Sequence, residues 1–203
     1  RMFENWGEDA FLASVMAAEE TLGLQGDDPN RVGPEHVAAN LKCFIAYSMP
    51  YTGKDRTPAY IPMHDLREKY FAPFLACFRS GALSLMVNSS SVNGIPLHSD
   101  KTLLTGWAKE ETLWDGMIVT DWSDLNNLYE RDHIAADKRE AIQIGVNAGI
   151  DMIMEPYDVE CCTILADLAR TGGIPMSRID DAVRRILRMK YRGGLFANPV
   201  WAT

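Results

Sequence analysis

The ten residues from Gly116 to Leu125, "GMIVTDWSDL", decide how the rest of the sequence is interpreted. The apolar and β-branched run 117–120 is typical of a strand that enters the interior of a protein. Asp121 follows this run directly, with Trp122 beside it. A carboxylate at the end of a buried strand needs partners or a chemical role. It could cap the next helix, bind a metal ion or act in catalysis.

Short apolar strands of this kind alternate with helical periodicity along the chain. Four strands are predicted, within 37–44, 83–88, 117–121 and 150–154. Helices are predicted over 9–24, 65–80 (kinked at Pro73), 101–111, 137–148, 159–171 and 177–191, the last with Ser177 and Asp180 as a capping box. Because the strands alternate with helices and are not themselves amphipathic, they indicate parallel β-α units with both faces covered.

Two α/β architectures fit this alternation, a doubly wound sheet and a TIM-type (β/α)8 barrel. Four β-α units in about 200 residues are roughly half of a barrel, which typically has ~250 residues. The sequence has no G-x-G-x-x-G after a strand, which weakens the dinucleotide-binding version of the doubly wound sheet. In both architectures the chemistry lies where the strands end.

Polar side chains follow all four predicted strands, as expected for a site built from several strand ends. They lie at Lys42-Cys43, 88–91, Asp121-Trp122 and Met154-Glu155. Long polar loops, 46–62 and 89–100, follow the first two strands and are expected to form walls of the site.

The composition excludes several classes of function. No apolar run reaches the ~18 residues of a membrane span. With a net charge of −8, a pI near 5.0 and dispersed basic residues, nucleic acid is not an expected partner. No metal ion or cofactor is expected, because the four histidines do not fall at strand ends and the four cysteines lack C-x-x-C spacing.

With these features in place, the sequence resembles family 3 glycoside hydrolases, the β-glucosidase and exo-glucanase group, over nearly its whole length. Eight segments match in the family's order and spacing: "RMFENWGED", "GLQGD", "LKCFIAYSMPYTGKDRTP", "MVNSSSVNGIPLHSD", "LLTGWAKEE", "GMIVTDWSDL", "AGIDMIMEP" and "GGIPMSRIDDAVRRILRMKYRGGLFANP". The resemblance implies part of a TIM-type barrel, with about four β-α units and a closing helix.

The resemblance also implies a retaining mechanism, in which one carboxylate attacks the anomeric carbon and a second protonates the leaving oxygen. It identifies Asp121 as the nucleophile and Trp122 as a wall of the sugar subsite. The sugar-binding residues that it implies are Arg1, Lys42, Cys43, Met86, Ser89 and Met154; for the two methionines, core packing is an equal alternative.

Three positions depart from the family pattern. Cys43 stands where the family usually has a histidine that bonds a sugar hydroxyl, and Ser89 stands where many members have a tyrosine that steadies the nucleophile. Asn127 lies near a position often held by arginine. These departures leave glucose, xylose and decorated glucans open as substrates. The branch specific for N-acetylglucosamine is disfavoured, because "KCFIAYSMPYTGKD" lacks that branch's catalytic histidine.

The resemblance further implies that 1–203 is one partial domain, the family's N-terminal barrel without its first strands. In most members the acid/base glutamate comes from an α/β sandwich domain that follows the barrel. The opening "RMFENWGED" reads as a chain cut within a motif and carries no information on a signal peptide. We therefore expect a companion polypeptide to complete the barrel and to supply the acid/base group.

The expected function is a retaining exo-β-glycosidase, a β-glucosidase acting on β-linked oligosaccharides from the non-reducing end. A β-xylosidase and a non-catalytic carbohydrate-binding relative are the alternatives. A lyase or aldolase that uses Lys42 as a Schiff base fits one residue and none of the other motifs. Enzymes of this kind are commonly periplasmic or secreted, and we expect the same here.

Overall fold

The structure is a computed structural model that describes residues 5–157 and 159–197. Arg1, one of the expected sugar-binding residues, lies outside the described residues. The helices are α1 (Ala10–Gln25), α2 (Met63–Asp65), α3 (Ala72–Arg79), α4 (Asn127–Glu130), α5 (Lys138–Ala148), α6 (Glu160–Thr171) and α7 (Met176–Arg192). The strands are β1 (Asn40–Phe44), β2 (Ser84–Val87), β3 (Ser91–Val92), β4 (Ile95–Pro96) and β5 (Met117–Val119).

The central sheet is parallel, with strand order β1-β2-β5. Asn40 lies opposite Ser84, which in turn lies opposite Met117. Three parallel strands, separated along the chain by helices, confirm the predicted α/β fold. Because all three strands run the same way, their carboxyl ends meet at one edge, where Asp121 follows β5.

The fourth predicted strand, 150–154, is wrong as a regular strand: it makes a single parallel bridge, between Val119 and Met152. The cause is the side chain of Asp151. The N–H of Ile118 donates to Asp151 Oδ2 (2.8 Å) instead of to a backbone carbonyl, while the Ile118 carbonyl accepts from the N–H groups of both Asp151 and Met152. The segment still runs beside β5, and so its end, Met154, reaches the same edge.

The two faces of the sheet pack against different partners. On one face Leu85, Val87 and Ile118 pack into the main core, together with aromatic side chains such as Phe44 and Phe71. Alternate residues point to the opposite face, where Met86, Met117 and Val119 form a separate cluster, against which side chains of α7 pack.

Two predicted helices are wound differently from a plain α-helix. Residues Leu66–Phe71 and Thr102–Glu111 are π-helical. The first of these runs directly into α3, so that Pro73 falls in the first turn of a new α-helical segment. The proline removes one helical N–H at the junction between the two kinds of winding.

The predicted capping box at Ser177 and Asp180 is wrong. Helix α7 begins at Met176, with Pro175 in the N-cap position and no side-chain cap. Ser177 is therefore already inside the first turn, where its hydroxyl group cannot cap the helix.

A hairpin that we did not predict, β3–β4, follows β2. Its turn residues Asn93 and Gly94 both have positive φ, 52° and 85°. Asn-Gly is the dipeptide that such a two-residue turn favours.

Helix α7 covers the amino end of β5, opposite the edge that carries Asp121. Arg185 Nη1 donates to the carbonyl oxygens of Trp114 (2.9 Å) and Gly116 (2.8 Å), and Arg192 forms a two-pronged ion pair with Asp115, 2.9 Å at each oxygen. The amino end of the strand is therefore held by charged hydrogen bonds, which leaves the carboxyl end as the open one.

Candidate active site

Asp121 lies immediately after β5 and receives three hydrogen bonds. The backbone N–H of Trp122 donates to Oδ1 at 2.7 Å. The hydroxyl group of Ser89 and the guanidinium group of Arg56 donate to Oδ2, at 3.1 Å and 3.4 Å. The Asp121 side chain is 18% exposed, so it is fixed by its neighbours and still open on one side.

The structure argues against the helix-capping alternative for Asp121. The following turn, Asp124–Asn126, is a 3₁₀-helix with Ser123 in the N-cap position and no side-chain cap. The Asp121 carboxylate instead accepts from its own neighbour in sequence and from two residues of other loops. It is thus oriented by tertiary contacts.

Arg56 is a site residue that the sequence analysis missed. It lies in the long loop after β1 with a positive φ of 56°, and its side chain reaches the carboxylate of Asp121. The only available signal was the expectation that loop 46–62 forms a wall of the site. Burial lowers the pKa of Arg56, but the charges of Asp121 and Asp124 and a contact with Tyr47 together outweigh that effect and raise it, so the guanidinium group remains a cation.

Lys42 and Cys43 lie in β1, on the other side of β2. Lys42 is exposed, and within the described part of the chain its ammonium group has no salt bridge. Burial raises the pKa of the Cys43 thiol to about 11, against the opposing charge of Lys42. Cys43 is therefore a neutral thiol at pH 7, and the charge of Asp121 acts on it. The thiol of Cys43 is therefore close enough to Asp121 for that charge to act on it across the sheet.

Trp122 forms a corner with a second aromatic side chain, Tyr157, which the sequence analysis also missed. The indole N–H donates to the Tyr157 hydroxyl oxygen at 3.1 Å, and the rings meet edge to face, 5.9 Å between centroids at 79°. Trp122 is 54% exposed and Tyr157 76% exposed. The corner offers two nearly perpendicular apolar faces beside Asp121, of the kind that sugar rings stack on. Tyr157 follows the fourth strand end by three residues, and this position was the one available signal.

Met86 and Met154 lie together in the cluster on the α7 side of the sheet. Met86 is buried against Met117 and Val119, and Met154 packs against the same cluster while partly exposed. The Met154 N–H donates to Thr120 Oγ1 at 2.9 Å, which fixes the backbone beside Asp121.

A second carboxylate, Asp124, lies buried close to Asp121. Its Oδ1 accepts from the amide of Asn127 at 2.8 Å, and its Oδ2 faces Nε2 of the buried His98 at 3.8 Å. Burial raises the pKa of Asp124; the nearby polar side chain of Ser89 opposes this, and the charge of Asp121 adds to it. Burial lowers the pKa of His98 to about 3, so this imidazole is neutral at pH 7.

Glu155, at the fourth strand end, has both carboxylate oxygens occupied. Ser123 Oγ donates to Oε1 at 3.2 Å and Asn126 Nδ2 to Oε2 at 2.9 Å. In residues 5–157 and 159–197, no three His, Cys, Asp or Glu side chains are grouped to hold a metal ion. Over the same residues, no helix combines the length and apolar character needed to cross a bilayer.

The strand ends therefore carry a fixed carboxylate, a lysine, an arginine and an aromatic corner, on a parallel α/β sheet. A family model described as "Glycosyl hydrolase family 3 N terminal domain" matches residues 1–189. The chain belongs to glycosyl hydrolase family 3. This confirms the resemblance drawn from the eight sequence segments.

Curated members of the family extend the comparison. The chain is 42% identical over 204 residues to a lysosomal beta glucosidase of Dictyostelium discoideum, covering 98% of this chain and 25% of that protein. It is 35% identical to a beta-xylosidase of Formosa agariphila, covering 97% of this chain and 28% of that protein. The chain thus spans about a quarter of the length of these relatives.

The fold matches solved members of the family. The β-glucosidase from Listeria innocua in complex with glucose superposes with a TM-score of 0.89 at 29% identity, covering 98% of this chain and 27% of that chain. The α/β fold with a parallel sheet thus matches the N-terminal, TIM-barrel-like domain of family 3 glycoside hydrolases, as the sequence predicted.

Proposed function

We propose that this chain contributes the nucleophile and part of the sugar subsite to a retaining exo-β-glycosidase that releases glucose from β-linked oligosaccharides. The observation that carries the proposal is Asp121 itself. It is a partly exposed carboxylate at a strand end, oriented by three donors, beside an exposed tryptophan. Names of relatives in the family support the glycosidase assignment.

In the first step of such a reaction, Asp121 attacks the anomeric carbon and forms a glycosyl ester, while an acid protonates the leaving oxygen. The ester is then hydrolysed by water. Attack requires a carboxylate held in one orientation, and the three donors to Asp121 supply that orientation. Arg56, as a cation 3.4 Å from Oδ2, contributes both charge and orientation.

The sugar subsite is proposed to lie between Trp122 and the loop after β1. Trp122 offers a ring face, and Lys42 an ammonium group without a salt bridge in the described residues, suited to bind sugar hydroxyl groups. Cys43, Ser89, Met86, Met154 and Arg1 are kept as proposed subsite residues on the family resemblance. Cys43, as a neutral thiol, is a weak donor.

The acid/base group is proposed to come from companion polypeptide outside 1–203, which would also complete the barrel. Two observations support this. The chain matches about a quarter of each relative's length. Among the described residues near Asp121, Asp124 is buried and Glu155 is doubly bonded by Ser123 and Asn126, so neither is free to protonate a leaving group.

For the compartment, we propose a periplasmic or secreted enzyme. The relative from Dictyostelium discoideum is named a lysosomal beta glucosidase, and lysosomal enzymes travel by the secretory route. In the described residues no helix can cross a bilayer.

The test is covalent labelling of the complete enzyme with a 2-deoxy-2-fluoro-β-glucoside, followed by mapping of the modified peptide. The label is expected on Asp121. The Asp121→Asn variant should bind sugar, keep its fold and lose turnover by at least ~10³-fold, because the amide is not a nucleophile. Label on another residue, or turnover without any label, contradicts the proposal. Asp180→Asn, an exposed carboxylate on α7, is the matched control and should react normally.

A β-xylosidase is the second candidate, favoured by the name of the Formosa agariphila relative. Glucose differs from xylose by the hydroxymethyl group at C5. Comparing kcat/KM for aryl β-glucosides and aryl β-xylosides in the same preparation decides between the two. A ratio in favour of the xyloside would replace glucose by xylose in the proposal and leave Asp121 in its role.

A further inference from the structure

The loop after β1 carries Arg56, and the arm of this loop that follows Arg56 is bonded to the β3–β4 hairpin. Ala59 forms a parallel bridge with Val92, and both residues are buried. The Ala59 N–H donates to the carbonyl oxygen of Ser91 at 2.9 Å, and the Asn93 N–H donates to the carbonyl oxygen of Ala59 at 2.9 Å. The loop is therefore attached to the hairpin as a further strand would be.

The side chain of Asn93 adds two more bonds to the same arm. Its Oδ1 accepts from the N–H of Ile61 at 2.8 Å, and its Nδ2 donates to the carbonyl oxygen of Ile61 at 2.7 Å. Nδ2 also lies 3.7 Å from Met63 Sδ. A primary amide has both a donor and an acceptor, and here it satisfies both backbone groups of one residue. Formation of the hairpin turn does not require these bonds, so the side chain has a second use.

The short stretch between Arg56 and the bonded arm is itself fixed within the loop. It consists of Thr57 and Pro58. Thr57 Oγ1 donates to the carbonyl oxygen of Lys54 at 2.7 Å, and the Pro58 carbonyl oxygen accepts from the N–H of Tyr51 at 2.8 Å. Because the two arms of the loop are bonded to each other, a displacement where the loop meets the hairpin also displaces Arg56.

The segment that enters the hairpin also carries the other side-chain donor to Asp121. Ser89, four residues before Asn93, donates to Asp121 Oδ2 at 3.1 Å, and Arg56 donates to the same oxygen atom at 3.4 Å. The segment 89–93 thus supplies one donor directly and holds the loop that supplies the second. A hydrogen bond weakens steeply as its distance and angle depart from the favoured range, so the position of this loop decides how well Arg56 orients the carboxylate.

We propose that Asn93 is a positioning residue: it fixes the loop after β1 against the hairpin and thereby sets how closely Arg56 approaches Asp121. This inference rests on the proposed role of Asp121 as nucleophile. Without the Asn93 amide, the loop keeps its backbone bonds to the hairpin but loses the two bonds at Ile61. The guanidinium group of Arg56 is then held less closely, and the carboxylate that it orients attacks more slowly.

The main variant is Asn93→Gly in the complete enzyme. Glycine adopts a φ of 52° freely, so the turn is kept and only the amide is removed. The rate constant of labelling at saturating 2-deoxy-2-fluoro-β-glucoside reports the attack by Asp121. It should fall roughly 10-fold, because a donor displaced by about 1 Å loses most of its bond. The concentration for half-maximal labelling should change less than about threefold, because Lys42 and Trp122, which are proposed to hold the sugar, are untouched.

A double-mutant cycle with Arg56→Met tests whether Asn93 acts through Arg56. Arg56→Met alone should slow labelling by roughly 10- to 100-fold, the scale of one hydrogen bond to a charged group. Asn93→Gly should have no further effect in the Arg56→Met background, since both changes break one chain of contacts.

A conservative variant and a control complete the set. Asn93→Asp keeps an acceptor for the Ile61 N–H and loses the donor, so its labelling rate should lie between those of the wild type and Asn93→Gly. If Asn93→Gly does not fold, Asn93→Asp takes its place in the cycle with Arg56→Met. Asn30→Gly, which changes an exposed asparagine in another turn, is the matched control and should label at the wild-type rate.

An unchanged labelling rate constant in Asn93→Gly would overturn the proposal, as would equal slowing by this change with and without Arg56. A purely structural role of Asn93 would give fewer labelled sites and a lower melting temperature at an unchanged rate constant, and this result also contradicts the proposal. The position of the label separates the inference from the proposed function. A label on a residue other than Asp121 sinks both, whereas a label on Asp121 at an unchanged rate sinks only the role of Asn93.

Discussion

Replacing Asp151 by asparagine should destabilise the fold by about 3–5 kcal/mol, the usual cost of removing one partner from a buried ion pair. The Asp151 side chain is fully buried. It accepts from Lys109 Nζ at 2.7 Å, from Ile118 N–H at 2.8 Å and from Arg178. In the Asn variant two buried cations lose their carboxylate, and the partly exposed Asp181 is the acid left beside them.

Lys109 accounts for part of this loss, and its share depends on pH. Burial already lowers the pKa of Lys109 to about 8, although the charge of Asp151 opposes this. Without that charge, Lys109 is expected to release its proton at pH 7. Neutralising an ordinary lysine of pKa 10.5 at pH 7 costs about 5 kcal/mol, but the wild-type fold already bears roughly 3 kcal/mol of this through the lowered pKa, so Lys109 adds about 1–2 kcal/mol to the loss. Because a neutral lysine needs no partner, the destabilisation should be smaller at pH 9 than at pH 7.

Stability is measured by urea unfolding and by thermal melting, both monitored by circular dichroism at pH 7 and pH 9. At pH 7 the melting temperature of Asp151→Asn is expected to lie about 6–20 °C below that of the wild type. A triple variant with Asp151→Leu, Lys109→Met and Arg178→Met should recover most of the loss, because no charge is left unpaired. Asp180→Asn, which changes the exposed pair with Arg184, should change stability by less than about 1 kcal/mol. A loss below about 1 kcal/mol for Asp151→Asn would refute the reasoning.

Three further changes are expected to have measurable effects. Because the pKa of His98 is about 3 in the fold and 6.5 in the unfolded chain, the unfolded chain binds more protons between these values, and acid destabilises the fold. Urea unfolding should show about 3 kcal/mol of stability lost from this group at pH 4. His98→Gln should make stability depend less steeply on pH, and an equally steep dependence in this variant counts against the assignment. Gly116→Ala puts a Cβ 2.2 Å from Trp114 and should lower the stability measured by thermal melting by about 1–3 kcal/mol. Gly23→Ala, with open space around it, should instead stabilise α1 by roughly 0.5–1 kcal/mol. Equal effects of the two changes would be evidence against the clash. Tyr157→Phe removes the acceptor of the Trp122 N–H and should raise KM for cellobiose about 2- to 10-fold in the complete enzyme, with a larger rise for Tyr157→Ala; unchanged KM values would remove Tyr157 from the site.

The periodic parts of the fold could be predicted from the sequence, because periodicity reports on burial. The strands β1, β2 and β5 fall within the predicted ranges, and the helices predicted between them do so except that α2 begins at Met63, two residues before the predicted start. The fourth strand could not be predicted as a bare bridge, because that depends on Asp151 taking the N–H of Ile118, a contact across 33 residues of sequence. The hairpin turn at Asn93-Gly94 is different, since its dipeptide was a local signal that we did not use.

The same distinction applies to the site. Asp121 and Trp122 could be found from the sequence because they follow a recognisable strand. Arg56 could not, since it reaches Asp121 from a loop 65 residues away in sequence, and loop conformation has no periodic signature. Ser89 and His98 are of the same kind: they have ordinary neighbours in sequence and reach Asp121 and Asp124, respectively, only in the folded chain.

The arginines of α7 have a consequence for the order of events during synthesis. Arg185 and Arg192 bind the carbonyl oxygens and the carboxylate at 114–116, some 70 residues earlier in the chain. Until the ribosome has released the chain as far as these arginines, the oxygen atoms at 114–116 lack the charged donors that they have in the complete fold. The strand that leads to Asp121 is therefore synthesised well before the arginines that stabilise its amino end. A nascent chain interrupted before α7 would contain this strand without those contacts.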